Sequence, residues 1–221
     1  RGWIMPNSAK RPLGRGDDDF VRDICGIITQ RTGVQLGAKQ TAMVESRLKR
    51  RLAELGLGGM RDYQAYFEEH RASEVEALVS LLTTHHTFFF RESVQFEFLE
   101  QRLPQLVAAA RARGSKKLEI YSAACSRGQE VYTLAMLLDR HLRLVAPDFT
   151  FQVFGSDVDP ESVKIAANGV YRRDELKTVP LAYYGNHWAR GTKEIADFVK
   201  AKKSLREKCA FGVVNLMDLK P

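Results

Sequence analysis

Residues 122–130, Ser-Ala-Ala-Cys-Ser-Arg-Gly-Gln-Glu, form a run of small and polar side chains that closes on a carboxylate, Glu130. An apolar run opening at Leu118 leads into it, and a helical pattern from Val131 to Leu144 follows. That order reads as strand, tight turn, helix. In an open α/β sheet a ligand sits just beyond the carboxyl end of such a strand. Small side chains at Ser122, Ala123, Ala124 and Gly128 let a ligand come close to the backbone. A second carboxylate, Asp157, closes another strand-like run at 151–156, where an acid suits ribose hydroxyls. A bare Asp after a strand is as often a helix cap, and both readings stand at this point. The turn has neither the G-x-G-x-x-G of dinucleotide binders nor the G-x-x-x-x-G-K-[ST] of phosphate loops, and it carries no lysine.

Two acids without a phosphate-binding lysine repel a phosphate-rich ligand and favour a nucleoside with a cationic substituent. S-adenosylmethionine meets that description: its ribose can donate to Asp157, and its ammonium and sulfonium favour acidic neighbours. Arg91 is the complementary cation. It follows three phenylalanines, 88–90, and a charge beside so dense an aromatic cluster costs desolvation unless it meets an anion. It can pair with the carboxylate of the cofactor or of a substrate. The three rings cannot share one helical face, so the segment is expected to be contacted from several sides and to lie wedged between domains, a preferred place for pockets. His85 and His86 are adjacent, which on a helix points them about 100° apart and makes a poor metal pair. Cys25, Cys125 and Cys209 are odd in number and lack metal-ligand spacing, so no metal is expected, and the thiols are read as reduced in a cytoplasm.

The elements that must position these residues fall into two parts. Residues 1–16 are basic and broken by proline and glycine, and read as a disordered lead-in rather than a signal peptide. Residues 17–84 carry helical periodicity and read as a helical domain. Its second helix, from about Lys39 to Leu55, has an apolar stripe of Val44, Leu48, Leu52 and Leu55. Lys39, Arg47 and Arg50 lie on the opposite half, with Arg51 on the flank; this face is either solvated or a docking surface for an acidic helix or a phosphate backbone. Residues 85–221 read as an α/β domain, with strands at 118–123, 150–156 and 209–215, and a charged stretch at 191–208 that can form a small hairpin or helix. Among 221 residues the net charge is +7, which points to an acidic partner without choosing between nucleic acid, protein and lipid. No apolar run approaches the roughly 20 residues that span a bilayer.

At this point the chain resembles the chemotaxis receptor glutamate methyltransferases, the CheR family, over roughly residues 18–219. Residues 84–92, Thr-His-His-Thr-Phe-Phe-Phe-Arg-Glu, are similar to the family's T-N-x-T-x-F-F-R-E. Residues 123–132 are similar to A-A-C-S-T-G-E-E-P-Y, and Phe211 with Asn215-Leu216-Met217 to F-x-x-x-N-L-L. The resemblance implies a helical receptor-docking domain followed by a Rossmann-like methyltransferase domain. It implies methyl transfer from S-adenosylmethionine to glutamates on the cytoplasmic helices of receptors, leaving S-adenosylhomocysteine. By position it puts His85, Thr87, Arg91, Ala123, Glu130, Asp157, Asn215 and Leu216 at the cofactor, and gives Lys39, Arg47, Arg50 and Arg51 a docking role. Arg91 is expected to orient a carboxylate through its planar fork. Some members grip a receptor tail peptide with a small β-subdomain, here at 191–208. His85 stands where the family has Asn, Arg127 where it has Thr, and Gln129 where it has Glu. After the N-L-L segment the family continues into a strand and an R-N-V-x-I-Y-F motif. The sequence ends at Pro221, so the methyltransferase domain is expected to be incomplete after about the third sheet strand. Against the enzyme stand a non-catalytic cofactor-binding or receptor-docking module, or a truncated fragment, and a nucleic-acid methyltransferase resting on an isoelectric point near 9.4. Neither nucleic acid nor membrane insertion is expected.

Overall fold

A computed structural model describes residues 15–83 and 86–218, with Arg15 through its backbone only. The chain divides between Leu82 and Thr83 into two units.

The first unit is all helical. Helix α1 (Arg15–Thr32) opens with Asp17 and Asp18 at the positive end of its dipole and ends at Gly33, whose φ of 76° is left-handed. Helices α2 (Thr41–Leu55), α3 (Met60–Glu69) and α4 (Arg71–Leu82) follow, with α2 stopping at a left-handed Gly56. Phe20, Ile24 and Ile28 of α1 are buried with Val44, Leu48, Tyr63, Phe67 and Leu78. The expected α2 stripe holds in its first half, since Leu52 and Leu55 are only half-buried. One charge sits in this apolar interior. Glu74 is 1% exposed. Arg51 grips it with both arms of its fork, Nε to Oε1 at 2.9 Å and Nη2 to Oε2 at 2.7 Å, and the Tyr63 hydroxyl donates to Oε1 at 2.7 Å. Burial and then the Glu74 hydrogen bond push the Tyr63 phenol well above its ordinary value, so it stays a donor.

In the second unit helix α5 (Ser93–Ala112) precedes strand β1 (Lys117–Ala123), helix α6 (Gln129–Val145), strand β2 (Thr150–Asp157) and helix α7 (Pro160–Asn168). Strand β6 (Cys209–Val213) completes a parallel sheet in the order β1-β2-β6, with Ala123 opposite Ser156 and Asp157 opposite Val213. Parallel neighbours need a crossover, and α6 supplies the one between β1 and β2. The helix is buried on almost every side, Val131, Tyr132, Ala135, Met136 and Leu138 among its enclosed positions. Opposite the sheet it meets an aromatic layer: Phe89 stands edge-on to Tyr171 at 5.1 Å and to Trp188 at 5.3 Å. Of the three adjacent phenylalanines, Phe89 is wholly inside, Phe90 packs on Phe96 and Tyr183, and Phe88 is exposed. The β-subdomain departs from the expected range. Strand β5 (Phe198–Ala201) lies within 191–208, but its antiparallel partners β3 (Val170–Arg172) and β4 (Trp188–Arg190) come before it, and Lys203–Arg206 is a helix, α9. The sheet order β3-β5-β4 puts β5 in the middle, so both its edges are satisfied by strands outside 191–208. Helix α8 (Leu181–His187) precedes β4.

At the far end of α6, Asp139 accepts from Arg143 at 2.9 Å, from Lys208, and from His187 Nε2 at 3.2 Å. Burial raises its pKa, but the hydrogen bonds of Lys208 and His187, the Lys208 charge and the Arg143 hydrogen bond together outweigh burial and hold it below the usual carboxylate range.

The Glu74 site gives a direct test. Removing one partner of a buried ion pair leaves the other charge bare and costs about 3–5 kcal/mol. Arg51→Met is therefore expected to lower the unfolding free energy of the first unit by that amount, read from a urea titration followed by circular dichroism. The double variant Arg51→Met/Glu74→Leu should recover most of the loss.

Candidate active site

The carboxyl ends of β1, β2 and β6 lie side by side, and the turn after β1 is pinned to its neighbour. Cys125 N donates to Ser156 O at 2.8 Å, and Ser126 N donates to Asp157 Oδ2 at 2.7 Å. Gly128 N closes the turn on Cys125 O at 3.0 Å. Asp157 is buried, and its other oxygen accepts from Asp159 N at 3.0 Å. The helix cap is Asp159, which takes the amides of Glu161 at 3.2 Å and Ser162 at 3.0 Å. Of the two sequence readings of Asp157, the cap thus falls to its neighbour. Asp157 braces the turn and keeps further lone pairs for a ligand.

The turn is strained. Ala124, Ser126 and Gly128 have φ of 55°, 50° and 87°. Among the described residues, five other than glycine are left-handed, and four of them, Phe90, Glu92, Ala124 and Ser126, belong to the two segments that face each other here. Each costs on the order of 1–3 kcal/mol, and such residues gather where backbone geometry serves a ligand. At position 128 a Cβ would stand 2.7 Å from the Ala166 Cβ, so glycine answers both the angle and the space. The outer side of the turn is locked by the Tyr171 hydroxyl donating to Arg127 O at 2.6 Å and by Glu175, which accepts from Arg127 at 3.0 Å and from Gln129 Nε2 at 3.3 Å.

Between the segments lies a cavity of about 290 Å³. Thr87, Arg91 and Glu92 line one side, Gln95 and Phe96 of α5 another, and Ala124, Ser126 and Glu130 the third. Arg91 does not find a buried anion: its Nη1 donates to His86 O at 2.7 Å, and its Nε lies 3.5 Å from Glu92 Oε1. Glu130 accepts from the Ser122 hydroxyl at 2.7 Å. Burial first, then the charges of Asp157 and Glu130, push the Cys125 thiol up to about 12, so this buried sulfur is no nucleophile at neutral pH. The buried Ser126 hydroxyl has no hydrogen-bond partner among the described residues. The cavity therefore offers an unmatched hydroxyl, a backbone cradle, acids and a single arginine. That donor set fits a cationic nucleoside such as S-adenosylmethionine.

Comparison with known families decides between the possible ligands. Residues 85–221 match the domain described as "CheR methyltransferase, SAM binding domain", and residues 20–83 match "CheR methyltransferase, all-alpha domain". The chain belongs to the CheR methyltransferase family. It is 36% identical over 202 residues to the chemotaxis protein methyltransferase of Salmonella typhimurium, which covers 91% of this chain and 67% of the relative. It is 33% identical over 218 residues to that of Klebsiella aerogenes, covering 98% and 71%. Chemotaxis protein methyltransferase 2 of Pseudomonas aeruginosa is 30% identical over 219 residues, covering 97% and 75%. The fold agrees with this membership, an all-helical CheR domain followed by an α/β domain on a parallel sheet, and the cofactor of the CheR domain is S-adenosylmethionine.

Within this CheR chain the residues expected at the cofactor separate into groups. Thr87, Arg91 and Glu130 line the cavity. Ala123 ends β1 just before the turn. Asp157 closes β2 and Asn215 and Leu216 follow β6, the two chain segments joined by Val214 N donating to Asp157 O at 3.0 Å; none of the three lines the cavity. His85 lies outside the described residues. Sequence reasoning missed Gln95 and Phe96, whose helical pattern signalled only core, and Ser126, for which the small-residue run was the available signal. The docking set also divides. Lys39 and Arg50 are exposed, Arg50 beside Glu54 at 3.4 Å. Arg51 is committed to Glu74, and Arg47 Nη1 donates to Leu81 O at 2.7 Å, so both brace the helical unit from within, which departs from their expected place on a docking face. The reason is reach: long guanidinium arms on the flank of α2 fold back to inward acceptors. Among the described residues no cluster of His, Cys, Asp and Glu could hold a metal, and no helix is long and apolar enough to cross a membrane. A second cavity, about 810 Å³, lies in the helical unit beside Val21, Cys25 and Leu36 and shares no residue with the motifs.

Gly128→Ala tests the turn. A Cβ there meets both a left-handed backbone and Ala166. The second unit is expected to lose about 2–4 kcal/mol from strain and overpacking together, read by thermal melting. Calorimetry should show S-adenosylhomocysteine affinity falling alongside. An unchanged melt would mean the turn is looser than it stands here.

Proposed function

We propose that this chain transfers a methyl group from S-adenosylmethionine to glutamate side chains on the cytoplasmic helices of chemotaxis receptors, forming glutamate methyl esters in the cytoplasm. The carrying observation is the cavity at the sheet's carboxyl edge, which sets Arg91 opposite the small, acidic turn of a CheR cofactor domain. When bound, S-adenosylmethionine supplies an electrophilic sulfonium methyl.

The residues then have simple tasks. Glu130 favours the cationic part of the cofactor, and Asp157 has lone pairs left for ribose hydroxyls. Thr87, Ala123, Asn215 and Leu216 surround it, with His85 in the place of the family's Asn. A glutamate carboxylate is ionised at neutral pH, so its attack needs no general base. Arg91 holds a carboxylate in its fork, and the His86 carbonyl fixes the direction of that fork. Catalysis rests on alignment and exclusion of water, worth up to roughly 7–11 kcal/mol when geometry is good. The exposed cations Lys39 and Arg50 suit an acidic receptor helix. A receptor tail peptide would add to an edge of the antiparallel sheet, at β3 or β4, through backbone hydrogen bonds.

The assay is direct. Chain, receptor membranes and labelled cofactor should yield alkali-labile methyl ester. Binding of S-adenosylhomocysteine without any ester would favour a docking module that does not turn over. Arg91→Lys keeps the charge but loses the fork, and should lower kcat/KM by about 10–100-fold, as expected for hydrogen bonds to a charged group. With no general base, the rate should stay flat between about pH 7 and 9; an inflection there would remove the mechanism.

A further inference from the structure

Helix α5 is apolar on two sides. Its inner face, Phe96, Leu103, Val107 and Ala110, is buried in the core. Its outer face should then be polar, as on an ordinary amphipathic helix. Instead Val94 is 74% exposed and Phe98 59% exposed. Four residues apart, they stand one above the other. The Arg102 guanidinium lies over the Phe98 ring at 5.2 Å and continues the same row. Single exposed hydrophobics are ordinary, but a row with one direction is not. The row lies next to the cavity's α5 wall: Gln95, three residues from Phe98 and so its neighbour on the helix surface, lines the cavity, as does Phe88, 40% exposed, beside Thr87.

We propose that Phe88, Val94 and Phe98 form the landing surface for the apolar side of the glutamate-bearing substrate helix, with Arg102 meeting an acid one turn further along. This rests on the receptor-methylation reading. A glutamate side chain is short, so a glutamate that reaches Arg91 must be carried by a backbone lying across the cavity rim. Phe88 is the exposed apolar residue of that lining, and Val94 and Phe98 continue from the α5 side next to Gln95. An incoming amphipathic helix would seat its i, i+3/i+4 apolar positions on Val94 and Phe98, the usual mode of helix recognition. Val94 and Phe98, unlike Phe88, are not among the residues that line the cavity, so changes at these two positions should move substrate affinity and leave cofactor affinity alone.

The test is the double variant Val94→Ser/Phe98→Ser, whose exposed positions leave the core untouched. The probe is a soluble cytoplasmic helical hairpin of a chemotaxis receptor carrying its methylatable glutamates. Hairpin affinity should fall by about tenfold or more, a loss typical of central interface side chains, with the melt and S-adenosylhomocysteine affinity unchanged. Phe98→Leu, which keeps the apolar contact, should retain most of the binding. Hairpin affinity equal in wild type and double variant overturns the landing surface while leaving receptor methylation standing. A wild-type chain that binds S-adenosylhomocysteine but no hairpin removes the receptor reading and this surface together. A concentration-dependent dimer in sedimentation, lost in the double variant, would assign the row to a second copy and overturn the proposal.

Discussion

The hydrogen bond from Ser126 N to Asp157 Oδ2 is the constraint on which the site depends. It ties the turn after β1 to the end of β2, and Asp157 also accepts from Asp159 N, the first step toward the cap of α7. One carboxylate thus sets two strand ends and a helix start. Together with Cys125 N on Ser156 O and the Tyr171 hydroxyl on Arg127 O, it offsets the strain of the left-handed backbone at Ala124 and Ser126. The parallel register extends the arrangement to β6, since Val213 pairs with Asp157 and Val214 N reaches Asp157 O. The cavity is in this sense a consequence of strand register, and Gly128 lets Ala166 of α7 pack close against the back of the turn.

The sequence made the strand-turn-helix unit visible because its signals are local. Apolar runs at 118–123 and 150–156 announce strands, and small residues between them announce a close approach. Both Asp157 and Glu130 stand where strand-end reasoning put them. Which acid caps α7 was not legible, because Asp157 and Asp159 are two residues apart and differ only in which amides they face. The same limit applies to α2. A wheel places Arg47 and Arg51 outward or on the flank, but a wheel contains no Glu74 and no Leu81 carbonyl to draw them in. Pairing between distant strands was equally hidden: β5 sits within the expected 191–208, yet its partners lie at 170–172 and 188–190. Arg91 also departs from simple desolvation logic. Phe89 and Phe90 turn inward, and it stays near solvent on a backbone carbonyl, ready to take a carboxylate.

The chemistry of the site follows from what its groups are prevented from doing. Cys125, nearest to the look of a nucleophile, is kept protonated by burial and by the acids beside it. The acids in turn favour a cationic ligand, and the one arginine favours a carboxylate. A methyl transfer between a sulfonium and an ionised glutamate asks for little else, since neither proton transfer nor a covalent intermediate is involved. Rate then depends on how firmly the partners are held.

That firmness reaches the far end of α6. The helix starts at the cofactor turn and, nearly three turns on, carries Asp139, where Lys208 before β6, His187 of α8 and Arg143 converge. Because Asp139 titrates lower in the folded chain than in a free peptide, its contribution is present above the ordinary carboxylate pKa and is lost as pH falls through the folded value. At neutral pH the cluster is fully charged on the Asp139 side and clamps helix, strand and α8 together. Close packing makes such a helix move as a unit rather than bend. Gly128 at one end and Asp139 at the other thus anchor the same buried helix, the one that carries Glu130 at the cavity.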